Sequence, residues 1–470
     1  MKIKNICCIG AGYVGGPTMS VIALKNPKIK VTVVDKSEEK INLWNSKDLT
    51  KIPVFEPGLN EIVQKVRGKN LFFSNDISSS IDEAEIIFIA VNTPTKKSGR
   101  GKGMAADLSN VIASAKEIAK FSKSDKIVVE KSTLPVRTAE KLKEVLSLTN
   151  KKVKFEVLSN PEFLAEGTAI QDLFKSDRVL IGGEQTKKGQ LAVNSLVEIY
   201  KKWIPINKIL TTNIWSSELS KLVSNAMLAQ RISSINSLSA MCEKTGADIN
   251  EISKAVGMDS RIGPYFLNSS VGFGGSCFQK DILNLVYLAK FYGLDEVAEY
   301  WHQVIKMNNY QKERFALNII KLINNNEHSV SVSILGWAFK KNTNDSRESA
   351  SIYVTDILLK NEIFVNVYDP MVPRDNIISD LINLWSSQEL STAKTENLLG
   401  RLNIENNYVD AIKGSSLSAI LTEWDEFKDC DWESLVKSMK SPSIVYDGRN
   451  ILPKQDKKIN HIKLGVTHNL

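Results

Sequence analysis

The sequence predicts an α/β protein with two doubly wound parallel-sheet domains, joined by a long central helix and a helical middle domain. Three observations support this fold class. Short apolar runs alternate with amphipathic stretches in the first half of the chain, a long helical pattern without Pro or Gly follows, and the alternation resumes near Val330. Strands that alternate with helices form parallel sheets, because a parallel connection needs a crossover about as long as a helix.

Each predicted strand is a short apolar run between turn-forming residues. In the first half these runs cover 3–9, 30–34, 85–91, 126–130, 155–158 and 178–181, and in the second half they cover 332–337, 364–368, 417–421 and 443–445. The long helix is predicted from Trp215 to about Lys244, and the polar segment 324–328 is a predicted boundary. We therefore expect domains at 1–214, 215–327 and 328–470, with segment 336–347 repeating the first strand-to-helix turn in outline.

The bulk composition excludes several classes of protein. The 61 basic and 53 acidic residues are interleaved, so the net charge of +8 indicates an ordinary solvated surface with some preference for small anions, and no nucleic-acid partner. The sequence has no long uninterrupted apolar stretch and no signal-peptide pattern, so we expect a cytoplasmic protein with no membrane partner. Five cysteines without a Cys-x-x-Cys pair and four scattered histidines predict neither disulfides nor a metal site.

The first strand leads into a glycine-rich turn. Gly10 to Gly15 fits Gly-x-Gly-x-x-Gly, follows the predicted strand 3–9 and opens a helical pattern. Gly10 permits a tight turn, Gly12 lets the backbone approach a pyrophosphate, and Gly15 allows close packing of helix and strand. Asp35 ends the next strand, twenty residues after Gly15, where a carboxylate binds both ribose hydroxyls and repels a 2′-phosphate. The segment therefore predicts a Rossmann-like site for NAD.

Two alternatives apply to this motif. A structural glycine turn with an incidental acid explains a lone match, but here the strand, the helix and the acid all occur together. An FAD site is the second alternative, and the features of Cys277 favour a nicotinamide instead.

Cys277 lies in the segment 272–281, a glycine-rich loop that leads into a predicted helix. The start of a helix offers N–H groups and a positive dipole end, both of which favour a thiolate. Cys7 and Cys8 lie in a predicted core strand and Cys242 in a helix, where a small buried hydrophobe is the better interpretation. Cys277 is thus the candidate nucleophile, with an ordinary loop thiol as the alternative.

Several segments together resemble one enzyme family. They cover 10–15, 91–95, 130–133, 159–167, 217–222, 272–281, 336–341 and 446–449. In that order they resemble the UDP-glucose 6-dehydrogenases of the UDP-glucose/GDP-mannose dehydrogenase family over nearly the whole chain. Segments 92–108 and 158–170 resemble the animal-type subgroup.

The resemblance implies that UDP-glucose, water and two NAD give UDP-glucuronate and two NADH. Loss of the first hydride from C6 gives an aldehyde, which loses a second hydride only after a nucleophile has added. Cys277 would add to form a thiohemiacetal, and its oxidation would leave a thioester that water hydrolyses.

The resemblance also assigns catalytic roles. Lys221 and Asn225 lie four residues apart on the predicted helix and would stabilise the C6 oxyanion. Asp281 would hold a water or proton relay, Thr133 would place water, and Glu162 would act as general base in thioester hydrolysis. Without the family, Lys221 is an ordinary solvated helix residue and Glu162 a loop carboxylate that caps the next helix.

Binding residues follow from the same resemblance. Those expected to bind substrate are Glu162, Phe163, Leu164, Glu166, Lys221, Asn225, Arg261, Phe266, Phe273, Gly274, Phe278, Phe339, Lys340 and Arg449. Those expected to bind the cofactor are Gly10, Gly12, Tyr13, Val14, Gly15, Asp35, Lys40, Thr93, Glu166, Lys280 and Arg347.

Arg261 matches a family arginine that reaches the substrate of a neighbouring subunit. The resemblance therefore implies self-association, as a homodimer or a larger assembly such as a hexamer. The segment departs from animal-type relatives at Pro264, Tyr265 and Asn268, where those relatives carry a polar–basic pair and a lysine. No diphosphate contact is carried over to Asn268.

Two alternative functions remain at this point. A dehydrogenase for GDP-mannose or a UDP-N-acetylhexosamine would use Cys277, Lys221 and Asp281 in the same way, because these residues serve any C6 alcohol. A non-catalytic NAD-binding protein on the same fold would have lost the nucleophile or the lysine, and this chain has both.

Overall fold

The computed structural model describes residues 3–323, 330–453 and 459–467. The chain divides into two compact units, one formed by Met1–Ser224 with Leu283–Tyr292 and the other by Asn225–Ile282 with Gly293–Leu470. The predicted boundary at 324–328 lies outside the described residues, and the three-domain division stays a prediction.

The first unit contains an eight-stranded sheet. Its strands are β1 (Asn5–Ile9), β2 (Lys30–Val34), β3 (Leu71–Ser74), β4 (Ile86–Ile89), β5 (Lys126–Glu130), β6 (Phe155–Ser159), β7 (Val179–Gly183) and β8 (Ile209–Asn213), in the order β3-β2-β1-β4-β5-β6-β7-β8. Its helices are α1 (Gly15–Lys25), α2 (Glu38–Asn45), α3 (Leu59–Val66), α4 (Ile77–Glu83), α5 (Ser109–Phe121), α6 (Thr138–Thr149), α7 (Ala169–Phe174) and α8 (Lys187–Tyr200). Two 3₁₀ turns cover Leu49–Lys51 and Ile206–Lys208.

Helices follow the first sheet. They are α9 (Ile214–Thr245), α10 (Ile249–Gly257), α11 (Phe278–Phe291) and α12 (Asp295–Ile323). The predicted long helix is confirmed as α9 to within one residue at each end. Among the described residues, no helix is both long and apolar enough to cross a membrane.

A six-stranded, wholly parallel sheet lies in the second unit. Its strands are β9 (Ser331–Leu335), β10 (Phe364–Tyr368), β11 (Leu402–Ile404), β12 (Leu417–Ile420), β13 (Ile444–Asp447) and β14 (Asn460–Lys463), in the order β11-β10-β9-β12-β13-β14. Its helices are α13 (Ala350–Lys360), α14 (Arg374–Ser387), α15 (Thr392–Leu399), α16 (Tyr408–Ile412), α17 (Asp425–Asp429) and α18 (Trp432–Val436). The predicted α/β class with two doubly wound sheets is confirmed.

Both faces of the first sheet are covered. On β1, Ile6 and Cys8 belong to one hydrophobic cluster, whereas Cys7 and Ile9 belong to another. Successive side chains of a strand point to opposite faces, so a continuous apolar run is the pattern that a strand buried on both faces requires. The interpretation of Cys7 and Cys8 as core residues is confirmed, since both are fully buried.

One pair of neighbouring strands in the first sheet is not parallel. Strand β7 pairs with β6 in antiparallel fashion, with Ser159 opposite Gly182. The short helix α7 lies between these strands, and the connection does not return the chain to the same end of the sheet as a βαβ crossover does. The sheet is therefore mixed at this point.

The turns that follow β1 and β9 have matching geometry. Gly10 and Gly336 have positive φ values of 113° and 99°, which glycine adopts at little cost. Their N–H groups donate to Val34 and Tyr368, each across 2.8 Å. The predicted similarity between segment 336–347 and the first strand-to-helix turn is thus a similarity of backbone structure.

Candidate active site

The turn between β1 and α1 forms a cradle of backbone atoms. A Cβ on Gly12 would contact nothing within 4 Å, whereas a Cβ on Gly15 would overlap the carbonyl oxygen of Gly10. Helix α1 begins after Val14 without a side-chain cap, and the positive end of its dipole favours an anion at this position. An open backbone at Gly12 beside an uncapped helix start fits a dinucleotide pyrophosphate. Tyr13 is exposed at the edge of this turn.

Asp35 lies beside this cradle. Its carboxylate accepts hydrogen bonds from the N–H groups of Ala11 and Ser37, each across 3.0 Å, and Lys40 donates to it across 3.1 Å. Burial alone raises the pKa of Asp35, but the hydrogen bonds from Ser37, Ala11 and Lys40 outweigh burial and hold that pKa below its ordinary value. Asp35 is therefore an anion positioned to accept hydrogen bonds from a ribose.

Glu162 and Lys221 form a buried ion pair. The Lys221 ammonium lies 3.2 Å from the Glu162 carboxylate, and these side chains are 6% and 10% exposed. The other Glu162 oxygen accepts from the N–H of Leu164 across 2.7 Å. The alternative of a solvated helix lysine is therefore wrong. Burial of a charge pair is costly unless both ions are well bonded, which makes this pair a candidate part of a functional site.

Two further groups of predicted residues lie in the same unit. Thr93 donates its hydroxyl to the carbonyl of Thr133 across 3.1 Å, which joins two of the predicted site segments. The Phe163 ring lies beneath two cations, with Arg178 at 3.9 Å and Lys221 at 5.3 Å from the ring centroid. Phe163 is thus held in place by the same lysine that pairs with Glu162.

The loop that carries Cys277 lies in the second unit. Asn308 anchors it by accepting from the N–H of Phe273 across 2.8 Å and donating to the carbonyl of Phe273 across 3.0 Å. Gly272 has a φ of 137°. Cys277 is exposed and immediately precedes α11, and its carbonyl accepts the first helical hydrogen bond from Asp281 across 2.9 Å. An exposed thiol at a helix start is suited to attack an electrophile.

Asn225 and Asp281 meet within this unit. The Asn225 side-chain nitrogen donates to the Asp281 carboxylate across 2.6 Å, and both residues are almost fully buried. The Lys280 ammonium lies 3.6 Å from the same carboxylate. Lys221 is one helical turn before Asn225 on α9.

Aromatic residues surround the cysteine loop. The rings of Phe273 and Phe278 make an edge-to-face contact with centroids 5.7 Å apart. A Cβ on Gly274 would come within 2.8 Å of Phe339, so these residues need the glycine in order to pack. Lys340 lies over the Phe339 ring at 5.6 Å. The structure therefore brings together most of the substrate residues predicted in this unit.

Other predicted residues of this unit have partners of their own. Arg347 pairs with Asp345 at 2.6 Å, and its carbonyl accepts from Gly275. Arg449 pairs with Glu423.

The predicted intersubunit segment is at the surface. Arg261 pairs with Asp259 at 2.6 Å with its side chain 87% exposed. Phe266 has a positive φ of 61° and is 42% exposed. Arg231 holds the segment by donating to three of its backbone carbonyls, those of Ile262, Gly263 and Tyr265. The segment is thus ordered by its backbone, and its side chains remain available to another molecule.

Sequence reasoning missed two cations. Arg178 stacks on Phe163, and the buried Lys131 donates to Asn160 across 3.2 Å and to Tyr200 across 3.4 Å. Lys131 lies within the family segment 130–133, so its position in the sequence was the available signal. Arg178 carries no sequence signal of this kind.

The glycine cradle with Asp35 beside it and the exposed thiol of Cys277 are the features of an NAD-dependent oxidoreductase. Three consecutive parts of the chain match one family. Residues 4–204 match the NAD binding domain, 215–310 the central domain and 333–454 the UDP binding domain of the UDP-glucose/GDP-mannose dehydrogenase family. The chain belongs to this family.

Curated relatives and solved structures agree with that placement. UDP-glucose 6-dehydrogenase 5 of Oryza sativa is 52% identical over 98% of this chain and 96% of its own length. UDP-glucose 6-dehydrogenase of Pongo abelii is 54% identical over 96% of this chain and 90% of its own length. The structure of a UDP-glucose dehydrogenase from Pyrobaculum islandicum superposes with a TM-score of 0.82 at 28% identity, covering 99% of this chain and 98% of that one. Plant and animal relatives are similarly close, so the animal-type subgroup stays a prediction.

Proposed function

We propose that this chain oxidises UDP-glucose to UDP-glucuronate with two NAD, through a covalent intermediate on Cys277. The position of Cys277 supports this proposal most directly. The thiol is exposed in a loop held by Asn308 and lies at the start of α11, where backbone N–H groups favour a thiolate. Identity above 50% to curated UDP-glucose 6-dehydrogenases over nearly the whole chain supports the substrate.

The first unit holds the cofactor and a charge pair. NAD, bound on the Gly10 to Gly15 turn, supplies the hydride acceptor. Asp35 binds the ribose hydroxyls and disfavours a 2′-phosphate. Lys40, Thr93 and Glu166 are proposed on the cofactor side, as are Lys280 and Arg347 from the second unit.

The covalent step belongs to Cys277. Its thiolate adds to the C6 carbonyl carbon and forms a carbon–sulfur bond, while the carbonyl electron pair moves to oxygen. Lys221 and Asn225 donate to that oxygen and stabilise its negative charge. Once C6 has reached the thioester level, Glu162 takes a proton from water, the water adds to C6, and the carbon–sulfur bond breaks to return the thiolate.

Asp281 is proposed to hold the water or proton relay. Its contact with Asn225 at 2.6 Å orients the amide, and a carboxylate in that contact can accept a proton from a bound water. Thr133 is proposed to place water, and its backbone is fixed by Thr93.

Substrate binding is proposed for two groups of aromatic residues and for the basic residues near them. The aromatic residues are Phe163 in the first unit and Phe273, Phe278 and Phe339 in the second. Arg449 and Lys340 carry the positive charge that a diphosphate needs, although Arg449 now pairs with Glu423. The whole set comprises Glu162, Phe163, Leu164, Glu166, Lys221, Asn225, Arg261, Phe266, Phe273, Gly274, Phe278, Phe339, Lys340 and Arg449.

Self-association is part of the proposal. Met227, Leu238 and Met241 are 51%, 41% and 61% exposed on α9. At about 100° per residue their side chains lie within roughly 60° of one another, on a face that also carries Arg231 and the exposed Ser234. Exposed apolar residues on one face support a homodimer or a larger assembly such as a hexamer, in which Arg261 reaches a neighbouring subunit. A cytoplasmic location is also proposed, because a reduced thiol nucleophile suits a reducing compartment.

The test is the amount of NADH formed per mole of limiting UDP-glucose, with GDP-mannose and UDP-N-acetylglucosamine as parallel substrates. Two NADH per UDP-glucose is the expected result. One NADH would mean that oxidation stops at the aldehyde. Two NADH with another sugar and none with UDP-glucose would assign the chain to that substrate.

A further inference from the structure

The segment that precedes helix α13 packs against the loop that carries the candidate nucleophile. The carbonyl of Arg347 accepts a hydrogen bond from the N–H of Gly275 across 2.8 Å. A Cβ on Gly274 would come within 2.8 Å of the carbonyl oxygen of Glu348, so the two stretches of backbone are in direct contact. The loop is therefore supported by this segment at two neighbouring residues.

The side chain of Glu348 adds a contact to the first turn of α11. The side-chain nitrogen of Gln279 donates to the Glu348 carboxylate across 2.9 Å, and the hydroxyl of Tyr353 donates to the same oxygen. Gln279 lies two residues after Cys277, at the start of α11. Burial, followed by the neighbouring Glu348, raises the pKa of Tyr353 above its ordinary value, so the hydroxyl keeps its proton and remains a donor. One carboxylate oxygen thus joins the first turns of α11 and α13.

The backbone of Glu348 has a conformation that glutamate rarely adopts. Its φ is 57°, in the left-handed region where a residue with a Cβ is disfavoured. A residue keeps such a conformation when its surroundings fix it, and here the contacts with Gln279, Tyr353 and Gly274 do so. Glycine would adopt this φ without strain, so a glutamate at this position favours a role for its side chain.

A buried cation holds Tyr353 from the other side. The ammonium of Lys312, on α12, lies 3.9 Å from the centroid of the Tyr353 ring, and Lys312 is 2% exposed. Within the described ranges this ammonium has no hydrogen-bond partner, so the aromatic face is the contact that offsets part of its desolvation. Lys312 also packs against Gly272 of the cysteine loop, where a Cβ would lie 3.2 Å from its side chain. Tyr353 is therefore held at its ring by Lys312 and at its hydroxyl by Glu348.

We propose that Glu348 is a positioning residue that fixes the first turn of α11 through Gln279 and so holds the Cys277 thiol for attack on C6. This inference rests on the proposed function, in which Cys277 is the nucleophile. Glu348 touches neither substrate nor cofactor in this proposal. The N–H groups that favour a thiolate belong to this same turn, so a displaced turn separates the thiol both from its target and from those groups.

The test compares three variants of the full chain. Glu348→Gly removes the carboxylate together with the backbone strain, so a loss of function in it reports the lost contact. Glu348→Gln keeps an oxygen that accepts from Gln279 and is expected to behave as wild type to within about twofold. Glu389 has a similar φ of 58° and is exposed, so Glu389→Gly is the matched control for placing glycine at a left-handed position. Glu348→Ala replaces Glu348→Gly if that variant does not fold.

The first readout is the rate at which iodoacetamide alkylates Cys277, measured by peptide mass analysis. Glu348→Gly is expected to slow this alkylation at least about threefold, because the thiolate loses its alignment with the helix start. It is also expected to lower kcat about tenfold with KM for UDP-glucose unchanged, since only the attacking group has moved. The half-buried Cys430 is the internal reference, because a general loosening of the fold would change its alkylation as well.

Gln279→Ala breaks the same hydrogen bond from the other partner. If Glu348 acts through Gln279, Cys277 in the double variant is alkylated no more slowly than in the slower single variant. Additive effects would overturn the proposal, as would an unchanged or faster rate at Cys277 in Glu348→Gly, or an equal change in Glu389→Gly or at Cys430. If wild type fails to oxidise UDP-glucose but alkylation of Cys277 still depends on Glu348, the proposed function has failed and the positioning role has not.

Discussion

Asn225 donates its side-chain N–H to the Asp281 carboxylate across 2.6 Å, and this contact joins α9 to α11. Both partners are buried, with exposures of 6% and 1%. A hydrogen bond to a buried charge contributes more than one between neutral groups, because an unpaired buried carboxylate pays its full desolvation cost. The contact therefore stabilises this helix pair as well as orienting two proposed catalytic groups.

We predict strong coupling between these two residues. In a double-mutant cycle of Asn225→Ala and Asp281→Ala, the coupling energy for unfolding is expected to be about 1.5–3 kcal/mol, the range of hydrogen bonds to charged groups. Denaturant unfolding of wild type, both single variants and the double variant measures it. Additive effects would mean that the contact contributes little to stability.

Cys277→Ser is expected to retain NAD and UDP-glucose binding but to lower NADH formation by at least about 10²-fold, the scale of losing one catalytic group. A serine hydroxyl remains protonated where a thiol ionises, so it adds poorly to the aldehyde. Calorimetric binding and product analysis measure the two effects separately. Cys430→Ser is the matched control, since this half-buried thiol lies beyond α17. Normal UDP-glucuronate formation by Cys277→Ser would exclude the covalent mechanism.

Asp35→Asn is expected to weaken NAD binding about tenfold and to narrow the preference for NAD over NADP. The asparagine keeps the shape of the side chain but loses the negative charge that strengthens ribose hydrogen bonds and repels a 2′-phosphate. Titrations with both cofactors at saturating UDP-glucose measure the change. Asp76→Asn, which alters the cap of α4, is the control. It should leave the affinity for NAD and the preference for NAD over NADP as in wild type. An unchanged NAD/NADP ratio in Asp35→Asn would remove Asp35 from cofactor selection.

Two carboxyl groups are buried together beneath the start of α6. Burial, followed by repulsion from Glu218, raises the pKa of Glu130 well above its ordinary value of 4.5. Burial raises the pKa of Glu218 to about 7, although the N–H groups of Ala139 and Arg137 donate to it and lower that pKa. Because the folded state binds these protons more tightly, the associated stability is present below pH 4.5 and is lost as pH rises through the folded-state values.

Glu130→Gln removes one of these carboxyl groups without changing its size. The melting temperature of Glu130→Gln relative to wild type is therefore expected to increase as the pH rises from about 5 to about 9. The total increase is several degrees, which corresponds to a change of about 1–2 kcal/mol in the free energy of unfolding. Thermal unfolding across that range measures the difference. Glu144→Gln, a change at an exposed position of α6, should show no such trend. A difference for Glu130→Gln that is constant with pH would mean that Glu130 is not protonated in the folded state.

The strands that the sequence did not predict share one position. β3, β8, β11 and β14 are the outer strands of the two sheets. An edge strand has one neighbour and less buried surface, so a run such as Ile209–Asn213, with only its first residue buried, has little apolar signal. Central strands such as Ile86–Ile89, buried at every position, were predicted because burial on both faces demands continuous apolar residues.

The functional residues divide in a similar way. Gly10 to Gly15, Asp35 and Cys277 were found from the residues themselves, because glycines at a strand end and a thiol at a helix start have local causes. The site assignments as a whole stay predictions. Lys221 looked like a solvated residue in isolation, since its partner Glu162 lies far away in sequence and only the folded chain brings the two within 3.2 Å.

The sequence by itself determined the α/β class, the long helix α9, the dinucleotide turn and the candidate nucleophile, because each depends on residues close together along the chain. The tertiary structure decided which charged groups are buried and which side chains lie beside them. Lys131 illustrates this. Its ammonium donates to Asn160 and Tyr200, which lie up to sixty-nine residues away along the chain, and Lys131 lines one cavity with Glu162. Burial and the proximity of distant charges depend on the packing of the whole unit, and no local pattern encodes them.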